Sequence, residues 1–234
     1  DYAPNARWLT YRPLGADTEI TLSSSPVIAA DALTDFLWNE CFAAVLTSAT
    51  LTALGTFNFL SMRSGLHDET VFKQIGSPFD FYNKGTLRIP TQGFDPSNAD
   101  AHTQAIIEIL PELVEENKGA LALFSSRRQM QLVLQGMDEA FQYKSLSQDD
   151  HSKQELIRLH KERVDKGQTS IIFGLASLTE GIDLPGDYCT QVIIAKIPFS
   201  VPNDPVEKTL GEWIKGQGKN PFSEISVPEA SMRL

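Results

Sequence analysis

Two acidic residues, Glu180 and Asp183, lie on either side of Gly181 in a segment that follows an apolar run. Carboxylates so placed can orient a basic side chain or bind a ribose hydroxyl, and a glycine lets the backbone approach a ligand closely. The alternative is structural, because both acids can cap helices and Pro185-Gly186-Asp187 is typical of a turn. The spacing favours a ligand loop and leaves this alternative open.

A second candidate is the segment Ser125-Ser126-Arg127-Arg128, which follows another apolar run. Hydroxyls and free amides at a helix N-terminus form a phosphate-sized anion site, and guanidinium groups add charged donors. Arginine in a first helical turn is slightly unfavourable for the helix dipole, which favours an anionic partner. We therefore predict phosphate contacts at Ser125, Ser126 and Arg127. The alternative is a capped surface helix with solvated arginines, and Arg128 fits either interpretation.

Three hydroxyl residues, Thr47, Ser48 and Thr50, surround Ala49 just after a third apolar run. Hydroxyls beside a small residue can bond to the backbone and side chains of a neighbouring domain without crowding it. On its own, this pattern is equally typical of a Ser/Thr helix cap. It is a candidate for coupling between two domains.

The elements that must position these residues alternate between strands and helices. Short apolar runs predict buried strands at 42–47, 120–124, 170–173 and 191–195, with a shorter strand near 143–146. Helical spacing of apolar residues predicts helices at 29–42, 56–65, 101–116, 125–137 and 153–166. We expect Gly119 to end the third of these helices as a left-handed cap. Residues 7–22 alternate apolar and polar side chains and predict an edge hairpin.

Alternating strands and helices predict an α/β fold with a mostly parallel central sheet and helices on both faces. In such a sheet, ligands bind in the loops beyond the carboxyl ends of the strands. The three candidate segments all follow predicted strands, so this rule makes them the expected functional loops.

Composition narrows the class of protein. The formal net charge of −10 argues against nucleic acid as a partner, although total charge averages away a basic face. Two cysteines cannot ligate an iron–sulfur cluster within this chain, and no zinc motif occurs. The chain starts at Asp1 without a leader and has no membrane-spanning apolar run. We expect a piece of a larger cytoplasmic protein with no membrane contact.

Four segments taken together resemble the superfamily 2 DNA helicases of the DinG/XPD type, and the DinG branch in particular. In chain order they are LTSATL (46–51), ALFSSRR (122–128), FGLASLTEGIDLPG (173–186) and IIAKIPFSVPNDPVE (193–207). The first three resemble motifs III, IV and V. Any one of them is weak, and their order and spacing make the set specific.

The resemblance implies a three-layer RecA-like (P-loop NTPase-type) fold and the C-terminal motor domain of an ATP-dependent 5′-to-3′ DNA helicase of DNA repair and recombination. It implies nucleotide contacts at Glu180, Gly181 and Asp183, and coupling of nucleotide to DNA through Thr47, Ser48 and Thr50. It implies single-stranded DNA contacts at Ser125, Ser126 and Arg127. ATP and Mg²⁺ would be shared with the protein's own N-terminal helicase domain, and a 4Fe–4S cluster is implied elsewhere in the full-length protein.

The departures from the family pattern concern catalysis. This chain has no Gly-x-x-x-x-Gly-Lys-Ser/Thr phosphate loop and no Asp-Glu-Ala-His box. The family's motif VI, which supplies an arginine finger, would be expected after Leu234. We therefore expect no complete catalytic set here and no ATPase activity from this chain alone, because positioning and electrostatic stabilisation of the phosphoryl group need those parts.

For domain organisation, we expect an N-terminal segment at 1–40 that packs on, or links to, the first motor domain. Residues 41–234 are then expected to form the second RecA-like domain. Two other functions stay open from the residues alone. One is a non-catalytic partner-binding domain that retains the helicase fold. The other, a small-molecule α/β transferase, would need a complete ligand loop, and no glycine-rich fingerprint occurs.

Overall fold

The computed structural model describes residues 3–15, 17–90, 95–179, 181–199 and 204–234. They form two compact units, one made of Asp1–Pro78 with Phe199–Leu234 and the other of Phe79–Pro198. These bounds differ from the expected boundary at residue 40, so the assignment of 1–40 stays a prediction. No helix among the described residues is both long enough and apolar enough to cross a membrane.

The second unit contains a four-stranded parallel sheet. Its strands are β3 (Gly119–Phe124), β4 (Ser145–Ser147), β5 (Ser170–Leu175) and β6 (Gln191–Ile194), in the order β4-β5-β3-β6. Helix α4 (Ala99–Leu113) precedes β3, and the helices between the strands are α5 (Arg127–Gly136), α6 (Glu139–Lys144) and α7 (Lys153–Asp165). The expected α/β fold with a parallel central sheet is confirmed.

Alternate residues of the central strands point to two separate cores. Ala120, Ala122 and Phe124 of β3 pack with residues of α4, α5 and α6, while Leu121 packs with Leu156 of α7. Because successive side chains of a strand point to opposite faces, this alternation places helices on both sides of the sheet. The continuous apolar runs of β3 and β5 are what two covered faces require.

The first unit is built on a hairpin. Strands β1 (Asn5–Leu14) and β2 (Asp17–Pro26) pair antiparallel. They are followed by α1 (Ala30–Leu33), a π-helix at Thr34–Trp38, and α2 (Asn58–Ser64). The C-terminal stretch adds α8 (Pro205–Gly216), a π-helix at Phe222–Ser226 and α9 (Val227–Arg233), whereas the short α3 (Phe81–Lys84) belongs to the second unit. Ala6, Phe59, Leu210 and Ile225 lie in one core, so hairpin and helices fold together.

Several sequence-based expectations need correction. Residues 42–47 form no strand: they are exposed and have no regular secondary structure, and no described strand pairs with them. The helix expected at 29–42 is shorter and continues as the π-helix that ends at Trp38. The helix expected at 101–116 ends at Leu113.

The side chain of Gln191 explains that early end. Its Nε2 donates to the Leu113 carbonyl at 2.6 Å, and its Oε1 accepts from the Glu115 amide at 2.7 Å. These two bonds satisfy backbone groups that a longer helix would use itself. Gly119 is therefore not a helix cap. It is the first residue of β3, and the left-handed residue in this turn is Asn117, with φ of 61°.

Candidate functional site

The carboxyl ends of the four parallel strands meet at one edge of the sheet, and most candidate residues of the second unit lie there. Ser125 and Ser126 follow β3, Gln148 and Asp149 follow β4, and residues 176–184 follow β5. This edge is where open α/β sheets bind ligands.

Ser126 is the N-cap of α5. Its hydroxyl accepts from the Gln129 amide at 3.3 Å, which satisfies one of the free amides of the first turn. The predicted cap is therefore present, and the amides of Arg127 and Arg128 lie in the same first turn. Ser125 and both arginines are exposed.

Arg127 is oriented by an ion pair across the sheet edge. Its Nε lies 3.2 Å from Oδ1 of Asp149, whose other oxygen accepts from Gln131 at 2.8 Å. The Asp149 side chain is mostly buried and that of Arg127 is mostly exposed. A guanidinium has five donors, so a bond at Nε leaves the two terminal nitrogens directed to other partners. The geometry combines a fixed head group with exposed donors, which is suited to binding an anion.

The loop between β5 and β6 contains the other candidates. Gly181 has φ of 71°, a left-handed conformation that a side chain disfavours, so a glycine is required there. Asp183 is exposed and has no ion-pair partner among the described residues. A Cβ at Gly181 would lie 3.7 Å from the Lys153 ammonium, so the start of α7 adjoins this loop. Glu180 lies outside the described residues.

The three hydroxyl candidates, Thr47, Ser48 and Thr50, belong to the first unit. The Thr50 amide and hydroxyl contact the Ser48 hydroxyl at 3.2 and 3.1 Å, so these residues form a local turn rather than a helix cap. Thr47 is exposed. Thr50 also lines a cavity of about 340 Å³ with Arg63 and Glu229, which form an ion pair at 2.6 Å. Sequence reasoning did not identify this cavity, because its walls come from distant segments.

A polar cluster at the sheet edge was also missed. Gln129 Nε2 lies 2.9 Å from Nδ1 of His102 and 3.2 Å from the Thr103 hydroxyl. Burial, followed by the positive charge of Lys196, lowers the pKa of His102, and a bond to the Ala195 carbonyl opposes this. Lys196 lies two residues after β6, so the rule that identified the other loops could have found it. His102 lies near the start of α4 and carries no such signal.

At the opposite edge of the sheet, His160 of α7 is fully buried. Its Nε2 lies 2.6 Å from the Tyr188 carbonyl oxygen and its Nδ1 lies 2.9 Å from the Ser170 hydroxyl. Burial lowers the pKa of His160; the Tyr188 carbonyl opposes this, and the charges of Arg163 and Lys161 add to it. The folded protein therefore favours a neutral imidazole.

Comparison with known proteins gives a consistent result. Residues 110–234 match the family described as helicase C-terminal domain. The ATP-dependent DNA helicase DinG of Photobacterium profundum is 39% identical over 99% of this chain, which covers 34% of that protein. The proteins of the same name from Shigella flexneri and Escherichia coli (strain K12) are 35% and 34% identical, each covered to 33%. The chain thus spans about a third of the length of these relatives.

We expect His160 to contribute to the pH dependence of stability. Its folded-state pKa lies below the value of about 6.5 of an unfolded histidine, so the unfolded chain binds more protons as the pH falls below that value. The stabilisation is complete above about pH 6.5 and is lost as the pH falls towards the folded-state pKa. The melting-temperature gap between wild type and His160→Gln should therefore shrink on acidification. The exposed His67→Gln control should run parallel to wild type, and a constant gap for His160→Gln would contradict this account.

Proposed function

We propose, from the premise that this chain belongs to the helicase C-terminal domain family, that it is the second RecA-like motor domain of an ATP-dependent DNA helicase. In the full-length protein it contributes half of the ATP cleft and half of a single-stranded DNA track. We further propose 5′-to-3′ movement, a role in DNA repair and recombination, and a cytoplasmic location. The observation that carries this proposal is that the N-terminus of α5 and the Asp183 loop lie at the same edge of the sheet. The chain is also similar to DinG helicases along nearly its whole length.

The nucleotide in this proposal is shared with a first motor domain. This chain has no phosphate loop, and its described residues bring no set of three or more His, Cys, Asp or Glu side chains together. The ligands of Mg²⁺, which would neutralise charge on the phosphates, are therefore assigned to the first domain. A 4Fe–4S cluster needs four ligands, so its cysteines also belong outside this chain, which has two.

Glu180, Gly181 and Asp183 are proposed to face the nucleotide. The exposed carboxylate of Asp183 and the left-handed Gly181 support this, since they leave both a charged acceptor and an uncrowded backbone open to a partner across the cleft. Thr47, Ser48 and Thr50 are proposed to couple nucleotide to DNA. Their support is the exposed hydroxyl turn that adjoins the Arg63–Glu229 cavity.

The nucleotide role is tested by isosteric amides in the full-length enzyme. Asp183→Asn should leave the melting temperature within a few degrees of wild type, because the side chain is exposed, and should lower DNA-stimulated ATPase at least tenfold. Glu180→Gln should act likewise. Asp187→Asn is the matched control, since Asp187 is an exposed acid of the same loop that pairs with Lys118. Wild-type ATPase turnover in Asp183→Asn would contradict the nucleotide role and leave the loop with a structural role only.

Ser125, Ser126 and Arg127 are proposed to contact DNA phosphates. Arg127→Ala in the full-length protein should weaken single-stranded DNA binding equally across sequences. It should also reduce the slope of log affinity against log salt by somewhat under one, because about 0.7 counterions are released per single-strand phosphate. Arg158→Ala is the control, since Arg158 is an exposed arginine paired with Glu155 and Glu162 on α7. An unchanged salt slope in Arg127→Ala would contradict the phosphate contact, and the ion pair of Arg127 with Asp149 would then be a surface contact only.

Residues 1–40 are proposed to pack on the first motor domain through the hairpin. Leu9 is paired opposite Leu22, and Tyr11 opposite Ile20, so these four apolar side chains share one face. They are between 49% and 80% exposed. An exposed apolar patch of this kind marks an interaction site. The relatives are about three times longer than this chain. We therefore propose that another domain of the full-length protein covers this apolar patch.

A photo-crosslinker tests this contact. Benzoylphenylalanine in place of Tyr11 in the full-length protein should crosslink to peptides of the first motor domain, identified by mass spectrometry. The same group in place of Thr21, which lies on the other face of the hairpin, should give few such products. Crosslinks from position 11 only to residues 1–234 would contradict the proposed packing.

A further inference from the structure

Three described parts of the loop that connects β5 to β6 lie near α7. Gly181 lies near Lys153 at the N-terminus of the helix, and Leu184 packs against the core cluster that contains Leu156. The ring of Tyr188 lies under the Lys161 ammonium at 5.2 Å. The helix therefore supports the loop between Gly181 and Tyr188.

Two side-chain contacts between Tyr188 and α7 are exposed or only partly buried. The hydrogen bond between the Tyr188 hydroxyl and Asp165 is exposed, and Lys161, whose ammonium lies over the Tyr188 ring, is half-buried. Such contacts contribute little to fixing a loop. The 3₁₀ turns at Ala176–Thr179 and Gly186–Tyr188 give the loop little regular structure of its own. Its conformation therefore depends on the few buried bonds that it makes.

The fully buried His160 makes one such bond. A backbone carbonyl can only accept, so the 2.6 Å contact with the Tyr188 oxygen requires a proton on Nε2. Nδ1 of the neutral ring is then the acceptor for the Ser170 hydroxyl at 2.9 Å. Both ring nitrogens are used, one to fix the ring on β5 and the other to fix the loop on the ring.

The backbone at Gly119 packs closely against this bond. A Cβ at Gly119 would overlap the Tyr188 carbonyl oxygen and would lie 2.8 Å from His160 Nε2. The first residue of β3 is thus packed against both partners of the bond. A glycine at this position gives the carbonyl and the imidazole the space to meet.

We propose that His160 is a positioning residue for the Asp183 loop, acting through its bond to the Tyr188 carbonyl. This inference rests on the proposed nucleotide role of that loop. Asp183 is exposed and lies five residues before Tyr188, beside the partly buried Leu184. Loss of the carbonyl bond removes one of the hydrogen bonds that hold the end of the loop, another being the Thr190 amide to the Gly119 carbonyl at 3.0 Å. The carboxylate then samples more positions, and turnover falls although no reacting group is changed.

Substitution of His160 by two different amide side chains tests the roles of its two ring nitrogens separately. In His160→Gln the amide reaches the Nε2 position and can still donate to Tyr188, whereas in His160→Asn it reaches only the Nδ1 position, near Ser170. Each variant keeps one of the two bonds. In the full-length protein, hydrogen–deuterium exchange of peptides covering 176–190 should be faster in His160→Asn and close to wild type in His160→Gln. DNA-stimulated kcat should fall about tenfold in His160→Asn, with a smaller change in KM for ATP, and less than threefold in His160→Gln.

The exchange experiment is independent of the proposed nucleotide role. If Asp183→Asn is fully active, the proposed function of the loop is wrong, while exchange in the two His160 variants still decides what fixes the loop. Equal exchange in His160→Asn and His160→Gln would overturn the positioning role.

A measurement on wild type covers the case in which a variant does not fold. Histidine-selective ¹⁵N NMR should find His160 neutral with its proton on Nε2 near neutral pH, and a proton on Nδ1 instead would overturn the inference.

Discussion

The central strand β3 is paired on both sides, with β5 and with β6, and all three run in the same direction. Parallel neighbours cannot be joined by tight turns, so each connection must cross a face of the sheet. The crossings place α5 and α6 on one face, where α4 also packs, and α7 on the other. They also bring every strand's carboxyl end to a common edge. The position of Arg127 beside Asp149, from loops that follow different strands, is a direct result of that pairing.

The parallel sheet could be predicted from the sequence because its signal is local. The runs at 120–124 and 170–173 contain enough consecutive apolar residues for strands buried on both faces, and β3 and β5 confirmed them. The loop rule then identified residues that lie at the carboxyl edge of the sheet, including Ser126 and Arg127. The prediction failed where the outcome depends on a partner far along the chain. Residues 42–47 have the same apolar pattern, but a strand forms only when a neighbour supplies hydrogen bonds, and none does so within the described residues.

Other features depended on contacts that no local pattern contains. The early end of α4 requires Gln191, which lies on a strand some eighty residues later, and the cavity beside Thr50 requires Arg63 and Glu229. Gly119 looked like a helix cap because glycine after lysine is typical of one. Its actual reason is the Tyr188 carbonyl, which only the folded structure brings to it. Total charge likewise contains no local information, since a net charge of −10 coexists with Arg127, Arg128 and Lys196 at one edge.

The bond from His160 to residue 188 uses the main chain of its partner, and this has a consequence for how the protein can diverge. A carbonyl oxygen is present whatever the side chain, so position 188 is free to change identity over evolutionary time without loss of the bond. Position 119 has no such freedom, because the main-chain carbonyl of residue 188 fills the space that a Cβ at 119 would need. That carbonyl is present in every homologue that keeps this backbone path, so glycine is expected at 119 whatever side chain stands at 188.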